Sequence, residues 1–272
     1  MNTALPPLLP PLLLVGGGKM GGAMLAGWVE RGLTPSIVVD PSPAAQALAG
    51  GPVTVVPSLD AVPPGFAPAC IVLAVKPQQA DLVLPVLARL AKGALVVSIM
   101  AGVTVARLRS ALGDASVVRA MPNTPAAIRQ GITVGFAGTG VSATQQSLAD
   151  ALLAAIGQVA WVEQEALIDP VTAISGGGPA YVFLLAELLE QAGLEQGLPP
   201  ALARQLARVT IAGSGALLAA SAEESSALRI AVTSPGGTTE RALAVLMASE
   251  AWPTSVSAAI AAATARSREL GA

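Results

Sequence analysis

Short runs of consecutive apolar residues alternate along this chain with segments whose apolar positions recur at helical spacing. Leu12–Val15, Ile37–Val39, Val53–Val56, Cys70–Val75, Leu95–Ile99, Val117–Met121 and Ile132–Phe136 are runs of the first kind. They are too short for helices and rich in β-branched residues, which predicts buried strands. Lys19–Arg31 places Met20, Met24, Leu25 and Trp28 on one helical face, and Gln79–Leu90 and Val105–Leu112 follow the same period. Strands alternating with helices predict a mostly parallel sheet covered on both faces. Val159–Val162 is expected to be its last strand.

The pattern changes after Glu163. The longest segments beyond it, Pro179–Gln196, Pro199–Ala222 and Ser255–Leu270, are all helical in period. This shift predicts an α/β domain over residues 1–163 and an all-α domain over 164–272. The helical segments are Ala- and Leu-rich on several faces, so the second domain is expected to bury part of itself against a second subunit.

Composition narrows the chemistry. The formal charge of −2 leaves no electrostatic footprint for nucleic acid. There is no histidine, one cysteine and one tyrosine, and lysine occurs only at Lys19, Lys76 and Lys92. Disulfides and Cys/His metal sites are excluded, and Cys70 fits a small buried hydrophobe. Hydrolytic triads built on histidine are excluded too. Everything beyond Lys92 lacks both Lys and His, the usual acceptors of a hydroxyl proton, so a reaction needing no strong side-chain base fits better. The apolar N-terminus, Leu5–Val15, lacks a basic flank and carries four prolines, unlike a signal peptide. No apolar run reaches the roughly 18 residues of a membrane span without Gly, Pro or charge. A soluble cytoplasmic protein, with no nucleic-acid or membrane partner, is expected.

Gly16-Gly17-Gly18-Lys19-Met20-Gly21 fits G-x-G-x-x-G between a strand and a helix. That context marks a dinucleotide-binding turn of Rossmann type. Gly16 permits the tight turn, Gly18 lets the backbone approach a pyrophosphate, and Gly21 allows close helix–strand packing. Asp40 ends the second strand, where an acidic residue accepts from the adenosine ribose hydroxyls. Its charge favours NADH over NADPH, although Ser42 could hydrogen-bond a phosphate. Ala74-Val75-Lys76-Pro77 and Arg119-Ala120-Met121-Pro122-Asn123-Thr124-Pro125 close two further strands at the same end of the sheet. The first also fits a solvated charge at a strand end, and the second a plain rigid turn.

A second unusual segment lies far downstream, in Val232-Thr233-Ser234-Pro235-Gly236-Gly237-Thr238-Thr239-Glu240. Pro235 fixes its own φ, and the two glycines reach conformations closed to other residues. The N–H groups of Gly236 to Thr239 can converge at a helix N-terminus and hold a small carboxylate. An ordinary capped helix start would use similar residues.

Together these segments, with Ala101-Gly102 and Ser175-Gly176-Gly177-Gly178-Pro179-Ala180-Tyr181, resemble the pyrroline-5-carboxylate reductase family over nearly the whole chain. The resemblance implies reduction of 1-pyrroline-5-carboxylate to L-proline by NADPH or NADH, the last step of proline biosynthesis. It also implies an interlocked helical homodimer, often assembled into decamers. By the same resemblance, the Thr239 hydroxyl hydrogen-bonds the ring nitrogen. Gly236, Gly237, Thr238 and Ser175 bind substrate. The cofactor contacts are Gly16, Gly18, Lys19, Met20, Gly21, Asp40, Ser42, Ala74, Lys76, Pro77, Ala101 and Asn123. The chain departs from the family at Gly177, which replaces a serine. Ser58 stands where the family has an Asn near the adenosine, and Glu223 is a weak match for an acidic residue ahead of the downstream loop. A β-hydroxyacid dehydrogenase would need a lysine early in the second domain, and none exists. A non-catalytic dinucleotide sensor would not need the downstream loop.

Overall fold

The computed structural model describes residues 8–271. The leading residues of the apolar N-terminus, Leu5–Pro7, lie outside them. Strands β1 (Leu12–Val15), β2 (Ser36–Val39), β3 (Val53–Val56), β4 (Cys70–Leu73), β5 (Leu95–Ser98), β6 (Ser116–Met121), β7 (Gly131–Ala137) and β8 (Gly157–Trp161) form one sheet. Its order is β3-β2-β1-β4-β5-β6-β7-β8. All neighbours run parallel except β6 and β7, where Arg119 faces Phe136.

Side chains alternate faces along each strand, and helices cover both. Leu12 and Leu14, with Val38, Cys70 and Val72, pack on one face. There they meet Met24, Leu25 and Trp28 of α1 (Lys19–Glu30). Ala149, Leu152 and Leu153 close the same cluster from a later helix. The Trp28 indole N–H donates to the Leu152 carbonyl at 2.9 Å. Leu13, Val15, Ile37, Val39, Ile71 and Leu73 point the other way. They pack on α2 (Ala80–Leu87) and α3 (Val105–Leu112). Burial on both faces explains why these strands read as continuous apolar runs.

The helix between β7 and β8, α4 (Ala143–Leu153), is opened by a capping box in which Ser142 and Gln145 hold each other's backbone N–H. It lets β8 join β7 in parallel. A short turn of helix, α5 (Ile168–Val171), follows β8 and runs into a π-helical stretch, Thr172–Gly176.

The chain divides into two compact units. The first is residues 1–176 joined by 263–272, and the second is Gly177–Ala262. Composition changes near Glu163, but contacts divide the chain later because buried Ile168 packs with Met121 and Val134 of the sheet. The final turns also return to the first unit. Ser267 donates to Asp169 at 2.7 Å.

The second unit is helical throughout. It holds α6 (Gly178–Glu195), α7 (Pro200–Ala220), α8 (Ser225–Ala231) and α9 (Thr238–Leu246). Most of α10 (Trp252–Gly271) also lies in it. Pro179 occupies the first turn of α6, where its missing N–H has no helical partner to lose. Helices α6 and α7 pack as a hairpin at small residues, with Gly193 against Ala203. Ala203 and Ala207 are buried, whereas Phe183, Leu184, Leu188 and Leu206 stay exposed.

Candidate active site

Strand order reverses between β1 and β4, and the crevice at their C-terminal ends is where such sheets bind ligands. A cleft of about 520 Å³ opens there, lined by Gly16, Gly18, Asp40, Ser42, Ala74 and Lys76 among others. The turn from β1 to α1 has the geometry its glycines require. Gly16 takes φ 101°, and a Cβ there would lie 2.7 Å from the Ala74 backbone. A Cβ on Gly21 would fall 2.1 Å from the Gly16 carbonyl oxygen. At Gly18 a Cβ would meet no protein atom within 4 Å. Two glycines are therefore demanded by the protein's own packing, and the third faces open space of the kind a pyrophosphate fills. Gly18 also stands at the N-cap of α1 without any side-chain cap, so amide donors of the first turn remain available to an anion.

Asp40 sits at the rim with both carboxylate oxygens engaged. Oδ2 accepts the Gly17 N–H at 2.7 Å and Oδ1 the Ser42 N–H at 2.8 Å. It orders the glycine turn as well as facing the cleft. Ser42 and Lys19 are exposed, while Met20 is half-buried against the core. Lys76 lines the cleft from the end of β4, where Pro77 starts a short 3₁₀ turn. Ser58 and Asp60 line it from beyond β3. Asp60 pairs with Arg89 at 3.0 Å. No periodicity or motif signalled Asp60.

Asn123 does not line that cleft. It precedes the 3₁₀ turn Thr124–Ile128, and its Oδ1 accepts the Ile132 N–H at 2.9 Å. The turn is clamped to α1 by Arg129, which takes φ 61° and donates to Glu30 at 2.7 and 2.9 Å. The hydrogen bond from Arg129 holds the Glu30 carboxyl below its usual range. Ala101 packs with Met121, Val134 and Ile168 beneath the same end of the sheet.

Arg119 begins the Arg-Ala-Met-Pro-Asn segment and is almost wholly buried. Its guanidinium donates to Glu165 at 3.0 Å and approaches Asp169 at 3.8 Å. Glu165 also accepts the Val105 N–H at 2.8 Å, at the start of α3. One buried cation thus ties β6 to α3, to α5 and, through Asp169, to the final turns of α10. Nothing local in the sequence marks Arg119 for this role, because its partners lie more than forty residues away.

Ser175 lies in the π-helical stretch of the first unit, with its hydroxyl donating to the Val171 carbonyl at 3.0 Å. Gly236 to Thr239 belong to the second unit. There Gly236 adopts φ 73°, Gly237 caps α9, and Thr238 and Thr239 form its first turn. Two loop amides are already engaged. Gly236 N–H donates to the Glu240 carboxylate at 2.8 Å and Gly237 N–H to the Ser234 carbonyl at 3.0 Å. Among the described residues, the Thr238 and Thr239 N–H groups and the Thr239 hydroxyl carry no hydrogen bond. Of the four amides from Gly236 to Thr239, the first two are therefore occupied from within the loop.

Comparison with known proteins decides between the readings. Residues 165–270 match the family model for pyrroline-5-carboxylate reductase dimerisation. Residues 12–102 match the model described as NADP oxidoreductase, coenzyme F420-dependent. A pyrroline-5-carboxylate reductase of Synechocystis is 39% identical over 261 residues, covering 95% of this chain and 97% of that protein. The chain belongs to the pyrroline-5-carboxylate reductase family. A second member of that family, from Pseudomonas aeruginosa, is 38% identical over 96% of this chain and 97% of its own. Among solved structures, the reductase of Coxiella burnetii superposes with a TM-score of 0.89 at 33% identity, covering 97% and 99% of the two chains. The Plasmodium falciparum enzyme, solved with NADP bound, gives 0.83 at 28% identity, with the same coverage. The fold is that of the family, a Rossmann-type domain followed by a helical dimerisation domain.

Proposed function

We propose that this reductase converts 1-pyrroline-5-carboxylate to L-proline with NADH or NADPH, as the last step of proline biosynthesis. The observation that carries this reading is the glycine-rich loop at the start of α9, in a helical domain of a chain related over nearly its whole length to such reductases. The substrate is a cyclic imine bearing a carboxylate. The ring nitrogen takes a proton from solvent before transfer; the hydride then adds to the carbon of the protonated imine, the C=N π pair stays on nitrogen, and a neutral secondary amine results, so no strong side-chain base is required.

When bound, the nicotinamide supplies the hydride. Gly16, Gly18, Gly21, Asp40, Ser42 and Lys76 hold the dinucleotide at the turn and cleft, and Lys19, Met20, Ala74, Pro77, Ala101 and Asn123 shape or flank that end of the sheet. The amides of Gly236, Gly237 and Thr238 bind the carboxylate, and the Thr239 hydroxyl hydrogen-bonds the ring nitrogen. Ser175 lines the substrate. Alignment of two bound reactants lowers the barrier without further chemistry from the protein. The dimerisation segment supports a homo-oligomer, and we place it as a soluble, cytoplasmic dimer capable of decamer assembly. The stretch Glu165–Glu195 is apolar and long enough to cross a membrane by composition. The assignment of its apolar surface to a partner subunit accounts for that composition.

The test is oxidation of reduced nicotinamide by the purified protein with 1-pyrroline-5-carboxylate, against hydroxyacids and against no substrate. Thr239→Val is expected to lose about 10- to 100-fold in kcat/KM, since a hydrogen bond to a charged group is worth roughly 1.5–3 kcal/mol. Unchanged kinetics in a folded Thr239→Val protein remove the loop from the site.

A further inference from the structure

Glu240 puts a carboxylate on the loop that the proposed function reserves for the carboxylate of the substrate. Counted from Thr238, it is the third residue of α9, the position whose acidic side chain ordinarily reaches back to the capping amide. Here the Gly237 N–H is taken by Ser234. The Glu240 side chain goes one residue further back, and Oε2 accepts the Gly236 N–H at 2.8 Å. Among the described residues Glu240 forms no ion pair. Arg229 lines the same hollow of about 360 Å³, with Glu240 and Thr233, but its guanidinium lies against the Met247 sulfur. The loop therefore carries a negative charge without a salt-bridge partner among the described residues, at the place where a second anion has to dock.

We propose that Glu240 is an internal competitor for the substrate carboxylate and sets the affinity of the site for carboxylated rings. This rests on the assignment of the Gly236–Thr239 loop to substrate. Binding requires either that Glu240 swing away from Gly236 or that the substrate settle on the remaining amides beside a like charge. The cost is the same in the bound state and in the transition state, so it is read in KM. A ring without a carboxylate has no claim on the Gly236 amide and is indifferent to Glu240.

The experiment compares steady-state kinetics of the full-length enzyme, Glu240→Gln and Glu240→Ala with 1-pyrroline-5-carboxylate and with 1-pyrroline, the same ring lacking the carboxylate. Loss of one ordinary hydrogen bond in competition predicts that KM for the carboxylated substrate falls about 3- to 10-fold in Glu240→Ala. Glu240→Gln keeps an acceptor but not the charge, so its KM falls by less. KM for 1-pyrroline stays constant in both. If Glu240 serves only to cap the helix, KM for the carboxylated substrate stays constant or rises as the loop loosens, and the proposal is overturned. An equal fall for both rings also overturns it. Failure of the underlying assignment shows up separately, as normal kinetics in Thr239→Val.

Discussion

The Asp40 carboxylate accepts the Gly17 N–H at 2.7 Å, binding the end of β2 to the middle of the glycine turn. The same carboxylate receives Ser42 N–H through its other oxygen. Its charge lies on the wall of the cleft, which Ser42, Ser58 and Lys76, the one cation among the described lining residues, also line.

That placement predicts a preference for NADH. A 2′-phosphate at the ribose would meet the fixed negative charge of Asp40, a repulsion on the order of 1–2 kcal/mol near a protein surface. In Asp40→Ser the ratio of kcat/KM for NADPH over NADH should rise about ten-fold, while the serine hydroxyl still serves one of the two amides. An NADPH preference in the natural protein that does not grow in the variant would rule out repulsion as the cause.

The three motif glycines should respond differently to substitution. Gly18 has φ −66° and open space where its Cβ would be, so Gly18→Val folds normally. Its side chain would enter the path of the pyrophosphate, and titration calorimetry should show NADH binding lost with circular dichroism preserved. Gly21→Ala should instead damage the turn itself, because the added carbon meets the Gly16 carbonyl. Normal NADH affinity in Gly18→Val would make the glycine turn purely structural.

These features differ in how far the sequence announces them. Leu12–Val15 is legible as a strand because burial on both faces leaves no polar position in it. The glycine turn is legible because Gly16 and Gly21 answer separate steric demands and Gly18 leaves open space at the helix start. Strand direction is not: the Ile132–Phe136 run carries no mark that β7 turns antiparallel to β6. Helix α4 is hard to read from the sequence because its buried side is only Ala149, Leu152 and Leu153, too sparse to assert a period. The role of Glu240 was equally hidden. An acid in the first turn of a helix is ordinary, and only the prior commitment of the Gly237 amide sends it to Gly236.

Arg119 supplies a prediction about stability. Its guanidinium is 3% exposed and faces Glu165 and Asp169, both partly buried. Arg119→Leu strips the cation and leaves the two carboxylates behind, which should cost about 3–5 kcal/mol. Glu165→Gln keeps an acceptor for the Val105 N–H and should cost less. Chemical denaturation of both variants measures the difference. Equal and small losses would mean that water reaches the cluster freely.

Assembly provides the last prediction. In the second unit Phe183 is 62% exposed, Leu184 52% and Val209 64%, while Ala203 and Ala207 are buried. Helices with so little interior are expected to need a further surface to pack against. Covering the exposed face at about 25 cal/mol per Å², over the roughly 2,000 Å² or more of an obligate interface, supplies the missing burial. The match of residues 165–270 to a dimerisation model fits this account. Sedimentation at low micromolar concentration should therefore show a dimer or a multiple of it. Phe183→Glu should dissociate the assembly and lower the thermal midpoint, because a buried charge at the contact has no partner. A folded, fully active monomer at that concentration would mean that the helices of the second unit are stable without a second copy.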